Sequence, residues 1–473
     1  MRGLFKFSQR FEKPSPEKFV FPLRNDKSKM MCTFLRGHNT LAKHPFQREN
    51  KFWRSQMSEV SGLRAIESVN SLAPICGVWK KARYSSEVEK KEGKERKEEA
   101  GEESLFVEEE GEGGREREGE RKIGKWLLVV AGMTFFMVSL GGVTRLTNSG
   151  LSMVEWKLVK EVIPPITEEQ WRESFEKYKQ FPEYLQNKGM SLEEYKKIFF
   201  WEWAHRLWGR LIGVAFGVPL LYFAVRGRVK RKDLPKLSIL FVLGGMQGMI
   251  GWWMVKSGLD HNLISQKKHA TVSHYRLAVH LGSAFLLYSA LVWFSLGFLR
   301  NAKILSRAEN LPLRNLSRLA HFNVGLVFLT AVSGAFVAGL DAGLIYNEFP
   351  LMGGEIVPQD YSSLSPFYLN LFENSSAVQF NHRVLGVLTF TSVFSFWMYA
   401  RRFPLPSSSS RLLNTLFFVA CAQVTLGVST LLSFVDIKLA ASHQAGSLTL
   451  LTFALWLMHD LKRIKPLSLI KRI

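Results

Sequence analysis

Long apolar runs separated by short polar segments fill the chain from about residue 126 onwards. Eight of these runs reach about 20 residues, the length that an α-helix needs to cross a bilayer. A soluble helical protein would have no way to bury so many apolar segments, so the pattern predicts an all-α membrane protein with eight transmembrane helices. The predicted spans lie near residues 126–144, 203–225, 236–255, 275–299, 318–340, 379–400, 411–432 and 439–458.

Several short motifs occur twice, in the same order and in corresponding spans of the two halves. Because each half has four spans, an even number, both halves share one orientation, as in transporters built from parallel repeats. The predicted fold is therefore two parallel-repeat four-helix bundles, in residues 123–300 and 301–473. The paired motifs are Gly141–Leu151 with Gly334–Leu344, Glu202–Gly209 with Gln379–Gly386, Gln247–Gly251 with Gln423–Gly427, and residues 277–283 with 440–447.

Four histidines, His205, His280, His382 and His443, each fall near the start of an even-numbered predicted span. At 1.5 Å of helix rise per residue, they should form one layer under the same membrane face. A single histidine in a membrane helix is as well explained by an interhelical hydrogen bond. Four of them, paired by a repeat, favour metal ligation, because two histidines on facing helices can hold a haem iron from both sides. We predict one haem site in each bundle.

Three further charged residues lie beside these histidines. Arg206 and Arg383 each directly follow a histidine, and we predict that they bind the haem propionates. Glu202 lies three residues before the first histidine, on the same helix face, whereas its counterpart Gln379 cannot titrate. We therefore interpret the first site as reactive and the second as holding a permanent cofactor. The alternative, that Glu202 forms a salt bridge with Arg206 or caps the helix, stays open.

The charge distribution indicates membrane topology rather than nucleic-acid binding, although the net charge is +22. The basic residues concentrate in the first 84 residues and in loops on the N-terminal side of the predicted spans. By the positive-inside rule, this side faces the mitochondrial matrix if the first residues form a transit segment. The basic loops are residues 226–236, 300–318, 401–411 and 462–472.

The segment before the first span is polar and divides into two parts. Residues 1–86 are basic and poor in acids, which is typical of a mitochondrial transit segment. Residues 87–122 are rich in Glu, Lys, Arg and Gly and should form a disordered linker. The expected location is the mitochondrial inner membrane, with the N-terminus in the matrix. The chain has three cysteines but no CxxC or CxxCH, which excludes a disulfide scaffold, an iron–sulfur cluster and covalent haem attachment.

The membrane body, residues 124–461, resembles the mitochondrial (eukaryotic) type of haem A synthase. Together the matching stretches are highly specific, whereas an isolated E-x-x-H-R would be a weak signal. They read GGVTRLTNSGLSMVEW at 141–156, FWEWAHRLWGRLIG at 200–213, YRLAVHLG at 275–282, FNHRVLG at 380–386 and SHQAG at 442–446.

The resemblance implies oxidation of a methyl group of haem O to the formyl group of haem A, for cytochrome c oxidase assembly. It implies that His205 and His280 hold haem O, or haem A as the product, and that His382 and His443 hold a haem b. Glu202 matches the family's functional glutamate. The outer loop, residues 145–200, has no cysteine pair such as bacterial relatives carry, which excludes a redox disulfide there.

The resemblance also implies partners. These are haem O itself, a ferredoxin-type electron donor and a haem O synthase (a farnesyltransferase), with membrane lipid around the chain; a homo-oligomer is left open. The formyl oxygen would come from dioxygen or from water.

A different function class, a bis-histidine electron-transfer cytochrome b, would hold two permanent haems and would not need Glu202 in one half only. A haem carrier is a third alternative, disfavoured by ligands that lie away from the midplane.

Overall fold

The computed structural model describes residues 112–156, 162–260, 262, 270–301, 303–305 and 311–466. The predicted transit segment, residues 1–86, lies outside the described residues, as does most of the predicted linker. The end of that linker, residues 112–122, is helical in the structure instead of disordered. Glu, Lys and Arg are good helix formers, and an ion pair between Lys122 and Glu118, one turn apart, supports this first part of the helix.

Nine α-helices and one short β-ladder make up the regular structure of the described residues, apart from short 3₁₀ turns. Eight of the helices have at least 25 residues, and the ninth, α2, covers an outer loop. Their bounds are α1 Glu112–Leu146, α2 Glu168–Tyr178, α3 Leu192–Val225, α4 Leu234–Gly258, α5 His274–Leu299, α6 Leu313–Gly339, α7 Ser375–Ala400, α8 Ser407–Leu432 and α9 Ile437–Lys462.

Seven of these helices, α1 and α3 to α8, are long and apolar enough to cross a membrane. The eighth predicted span corresponds to α9, which has sufficient length but is not among the seven. Large apolar side chains point outwards from these helices, for example Val218 (63% exposed), Met249 (70%) and Phe418 (65%). Water would not tolerate such a surface over so many helices, whereas lipid does. The fold is therefore that of an all-α membrane protein.

The long helices contact one another in the same order within each half of the chain. In the first half, α1 contacts α3 and α5, and α4 contacts α3 and α5. In the second half, α6 contacts α7 and α9, and α8 contacts α7 and α9. The halves meet through α1, α5, α6 and α9, whose central side chains, such as Leu127, Leu291, Leu316 and Leu451, are almost completely buried.

A two-stranded parallel ladder joins the ends of α5 and α9. Strand β1 is Lys303–Leu305 and strand β2 is Ile464–Pro466, with Ile304 opposite Lys465. Each strand directly follows the last helix of its half. Because the strands are parallel and paired, the C-terminal ends of α5 and α9 lie on the same side of the molecule.

The helix α3 extends well beyond its predicted start at residue 203, and its first turns carry an outer cap. A capping box, in which Ser191 and Glu194 exchange hydrogen bonds with each other's backbone, starts the helix at Leu192. The short helix α2 packs on these turns through an aromatic cluster that includes Phe175, Tyr178 and Tyr195. The cap fixes the loop that lies over the first histidine.

Candidate haem-binding site

The four predicted ligand histidines occur in two pairs, one in each half. His205 on α3 and His280 on α5 lie within range of electrostatic interaction with each other, and His382 on α7 and His443 on α9 form the equivalent pair. All four are partly buried. The helices that carry each pair are separated in sequence by the helix that contacts both, so each pair lies inside its own group of four helices.

The nitrogen atoms of these imidazoles are suited to binding a metal. Nδ1 of His280 and Nδ1 of His443 are buried and have no hydrogen-bond partner in the described part of the chain. Nδ1 of His382 lies 2.7 Å from the Ser333 hydroxyl, an arrangement that fixes the ring and leaves Nε2 for a ligand. Ser333 was not predicted from the sequence, since a serine in a membrane helix carries no signal by itself.

Each of the four imidazoles also lies against a glycine of a neighbouring helix. The glycine always belongs to α1, α4, α6 or α8 and lies within the last two turns of that helix. A methyl group at any of these positions would occupy the space beside the ring. The pairs are Gly141 with His205, Gly251 with His280, Gly334 with His382 and Gly427 with His443.

These features fit a haem in each half. Two neutral imidazoles in each half would supply the ligands that haem iron accepts, and each glycine lets one of these rings approach the neighbouring helix closely. Shared contacts with the last two turns of the glycine-bearing helices place the four histidines at one level. His205 lies deeper in its own helix than predicted only because α3 begins earlier than the predicted span.

Glu202 lies beside the first pair and is buried, with 3% of its surface exposed. Its Oε2 accepts hydrogen bonds of 2.8 Å from the Ser152 hydroxyl and from the Met153 backbone N–H. Its Oε1 lies 2.7 Å from Nη2 of Arg206, with which it forms a buried ion pair. The salt bridge that the sequence left open as an alternative is therefore present, and the carboxylate has three donors.

The Arg206 guanidinium binds the same outer loop as Glu202. Its Nη1 donates to the carbonyl of Glu155, and its Nη2 donates to the carbonyl of Met153, each over 2.8 Å. It also stacks on the ring of Trp156, 4.6 Å from the ring centroid. These contacts hold residues 152–156 over the first histidine pair.

The second half repeats this arrangement with the hydrogen-bond polarity reversed. The Gln379 amide donates to the carbonyls of Ala342 (2.9 Å) and Tyr346 (3.2 Å), and its oxygen accepts from Arg383 over 3.2 Å. Arg383 also donates to the carbonyls of Tyr346 and Leu351. The loop of the first half presents donors to the Glu202 carboxylate, whereas this loop presents acceptors to the Gln379 amide.

Arg206 and Arg383 therefore make equivalent contacts with loop carbonyls, which the sequence did not predict. Both connect an α-helix to the outer loop that follows the preceding long helix, α1 or α6. Arg383 keeps a buried Nε without a hydrogen-bond partner in the described part of the chain. The loop contacts could not be found from the sequence, because they are made by backbone carbonyls whose direction depends on the turn.

Glu183 is a further buried acid that sequence reasoning missed. It lies in a 3₁₀ turn, Pro182–Leu185, under the outer cap and is 5% exposed. Burial, and secondarily the negative charge of Glu202, raise the pKa of Glu183 to about 8. Nothing in its surroundings in the sequence, PEYL, distinguishes it from a surface glutamate.

Most of the chain matches known proteins. Residues 124–455 match the cytochrome oxidase assembly protein family COX15-CtaA. A relative from Bos taurus, Heme A synthase COX15, is 50% identical over 346 residues, which are 73% of this chain and 83% of the relative. Heme A synthase COX15 of Homo sapiens is 49% identical, with 73% and 84% covered. Heme A synthase of Nitrosospira multiformis is 48% identical, with 73% and 94% covered.

Proposed function

The chain belongs to the COX15-CtaA family of cytochrome oxidase assembly proteins, and we propose how its residues serve the conversion of haem O to haem A. It is a haem A synthase, an oxidoreductase that acts in cytochrome oxidase assembly. The observation that supports the assignment of residues is the two histidine pairs, each bordered by glycines, at equivalent places in the two halves. The resemblance noted in the sequence is thus confirmed for family and reaction.

We assign the substrate to the first pair and the permanent cofactor to the second. His205 and His280 hold haem O, and His382 and His443 hold a haem b. In the described part of the chain, the first pair has the buried carboxylate of Glu202 beside it, where the second half has Gln379, and the aromatic outer cap packs on the same helix α3. A bound haem b would supply one-electron redox chemistry next to the substrate site.

Oxidation of a methyl group to a formyl group moves protons, whether the oxygen comes from dioxygen or from water. We propose that Glu202 handles these protons at Oε2, where the Ser152 hydroxyl is its partner. Arg206 and the Met153 N–H bind the carboxylate and fix its orientation. In this proposal Arg206 positions the loop and the carboxylate, and Arg383, whose Nε is free of protein partners among the described residues, is the better candidate for a propionate.

We propose that both halves are parallel repeats and that α9 is the eighth span. The order of helix contacts is the same in the two halves, and the two β-strands follow their equivalent helices α5 and α9. The bundles would then comprise residues 123–300 and 301–473, as predicted. The helix α9 needs less apolar character than the others, because it lies among α1, α5, α6 and α8 instead of facing lipid.

The chain is a multi-pass membrane protein, and its mammalian relatives imply a mitochondrial membrane. We propose the inner membrane, with the basic loops and the N-terminus in the matrix. A ferredoxin-type donor, which is acidic as a class, would suit the basic loop at residues 226–236. A haem O synthase would supply the substrate from the membrane.

Extraction and mass identification of the pigments tests the assignment on purified protein. We expect the wild type to contain haem b together with haem O, a hydroxylated form of it, or haem A. His280→Ala should lose the second group selectively, and His443→Ala should lose haem b. Two haems b, one lost with each variant, would contradict the substrate site and indicate an electron-transfer cytochrome instead.

A further inference from the structure

We propose that four glycines, Gly141, Gly251, Gly334 and Gly427, are positioning residues for the haem ligands: each fixes the place of one axial imidazole. This inference rests on the proposed function, since it assumes that the four histidines bind haem. It adds residues that no chemistry in the sequence singles out, because a glycine has no side chain to bind anything.

At each of these glycines a Cβ atom would come closer to the imidazole than an ordinary van der Waals contact. A Cβ atom at Gly427 would lie 2.8 Å from Cε1 of His443, and one at Gly251 would lie 3.2 Å from Cε1 of His280. Carbon atoms in contact prefer about 3.5–4.0 Å, so the imidazole would have to move. Such a displacement, by rotation of the ring or by separation of the two helices, would change the position of the ligand nitrogens.

The remaining two glycines, Gly334 and Gly141, lie similarly close to their histidine rings. A Cβ atom at Gly334 would lie 3.1 Å from Cε1 of His382, and one at Gly141 would lie 3.0 Å from Nε2 of His205. Nε2 is the atom that a haem iron takes when Nδ1 is hydrogen-bonded, as in His382. In all four cases the ring atom nearest to the glycine is Nε2 or its neighbour Cε1, so a residue larger than glycine would displace the ring at or beside a ligand nitrogen.

In the second half, a hydrogen bond holds the helix of the glycine against the helix of the histidine. Gln423, one turn before Gly427 on α8, donates from Nε2 to the backbone carbonyl of His443 over 2.9 Å. The two residues form the repeated Q-x-x-x-G motif, for which the sequence offered no function. The glutamine holds the helix of the ligand, and the glycine holds its ring.

The competing explanation is that these glycines only allow the helices to pack closely. Other glycines of the same helices serve as controls that distinguish this explanation from a role in placing the histidines. Gly132 on α1, Gly248 on α4 and Gly325 on α6 have no atom within 4 Å of an added Cβ. All three are exposed. An alanine there should improve helix propensity and leave the histidines unchanged.

The experiment compares Gly251→Ala and Gly427→Ala with Gly248→Ala in purified protein. We measure the haem bound per chain, the electron paramagnetic resonance of the oxidised haems and the reduction potential of haem b. Gly427→Ala should weaken binding of the haem at His382 and His443 about 10-fold or shift its resonance and potential. Gly251→Ala should act on the first pair only, and Gly248→Ala should match the wild type.

A second glycine beside the same histidine pair keeps the test possible if one variant does not fold. If Gly427→Ala does not fold, Gly334→Ala reports on the same haem at a wider spacing, with Gly325→Ala as its control on α6. Resonances, potential and haem content equal to those of the controls in every glycine variant would overturn the inference. If His443→Ala keeps the pigments of the wild type, the proposed ligands themselves are wrong, which is a separate result.

Discussion

At the scale of single residues, the pair Glu202 and Gln379 has two physical explanations. One, suggested by the sequence, is that Glu202 handles protons in the reaction. The other, added by the structure, is that the loop beside Glu202 offers hydrogen-bond donors whereas the loop beside Gln379 offers acceptors. The variant Glu202→Gln distinguishes these two explanations. The amide can still accept from the Met153 N–H, but its own N–H group must then face the Arg206 guanidinium.

We expect Glu202→Gln to retain both haems and to lose most of the haem A formation, because an amide cannot exchange a proton at the site. Hydrogen exchange of residues 149–156 measures the loop at the same time. Ser152→Ala is the companion variant: it keeps the carboxylate but removes the hydroxyl that donates to Oε2, so proton handling through this hydroxyl predicts a partial loss of haem A formation. Normal haem A formation in Glu202→Gln would exclude proton handling and leave loop attachment as the role of Glu202.

The reverse change, Gln379→Glu, should be harmful for a reason that involves no reaction. A carboxylate there would face the carbonyl oxygens of Ala342 and Tyr346, which now accept hydrogen bonds. Two lost bonds and unsatisfied acceptors cost about 1–3 kcal/mol. Thermal unfolding, followed by the absorbance of the haem at the second pair, measures this cost. Equal stability of the variant and the wild type would contradict the polarity argument.

Glu183 should make stability depend on pH. Its pKa of about 8 lies above the ordinary value of 4.5, so the folded protein holds a proton that the unfolded chain releases between those two values. Stability should fall as pH rises through this window, by roughly 1.4 kcal/mol per pH unit at most, and then level off. Unfolding temperatures of the wild type and Glu183→Gln from pH 5 to 8.5 measure it. Parallel curves for the two proteins would show that Glu183 is ionised when folded.

At this scale the sequence could predict the two histidine pairs that the structure contains, but not the contacts that surround them. The histidines carry a signal because each is polar, lies in an apolar run and recurs in the repeat. Ser333 does not recur in the repeat, because its counterpart is Leu140, and Gln423 recurs as Gln247 in a motif for which the sequence suggests no role. Their importance depends on which ring or carbonyl the packed helices bring within hydrogen-bond distance.

At the scale of helices, composition predicted the existence of the elements better than their ends. Hydropathy marks the part of a helix that contacts lipid, whereas α3 continues into the outer cap, where polar residues and a capping box sustain it. The first turns of α1 are charged for a similar reason. A window of apolar residues cannot detect either extension.

The start of α7 gives a prediction about one such end. Side-chain Oδ1 of Asn374 accepts from the N–H groups of Ser376 and Ala377, and its Nδ2 donates to the Asp360 carbonyl and to the Asn370 side chain. Asn374→Ala should lose both functions and cost about 2–3 kcal/mol.

Asn374→Asp separates them, because the carboxylate can cap the helix but cannot donate to the loop. It should therefore fall between the alanine variant and the wild type in unfolding temperature. Hydrogen exchange should rise in the loop but not in the first turn of α7. Equal destabilisation by both substitutions would mean that the cap contributes nothing.

At the scale of the whole molecule, the repeat was the most informative part of the sequence. It predicted four helices in each half, and the helix contacts have the same order in both. The ladder of β1 and β2 was not predicted, because three-residue strands have no detectable periodicity and their partners are 161 positions apart in the register. This ladder bears on the number of spans.

The side on which α9 ends decides between seven and eight spans. Strand β1 follows α5, strand β2 follows α9, and the two strands pair in parallel. If α5 ends on the matrix side, α9 must end there as well, and therefore α9 crosses the membrane. The predicted positive-inside orientation gives the same answer, since the segments after both helices are basic.

Labelling of single cysteines in mitoplasts tests this conclusion in a chain without its native cysteines. Lys465→Cys, on β2, is the test position, and Arg402→Cys and Ser362→Cys are controls for the matrix side and the outer side; all three positions are exposed. We expect an impermeant maleimide to label Ser362→Cys in intact mitoplasts, and the other two only after the membrane is opened. Labelling of Lys465→Cys in intact mitoplasts would place the end of α9 on the outer side and would reduce the chain to seven spans. It would also separate β2 from β1 in the membrane, because a parallel ladder cannot form across a bilayer.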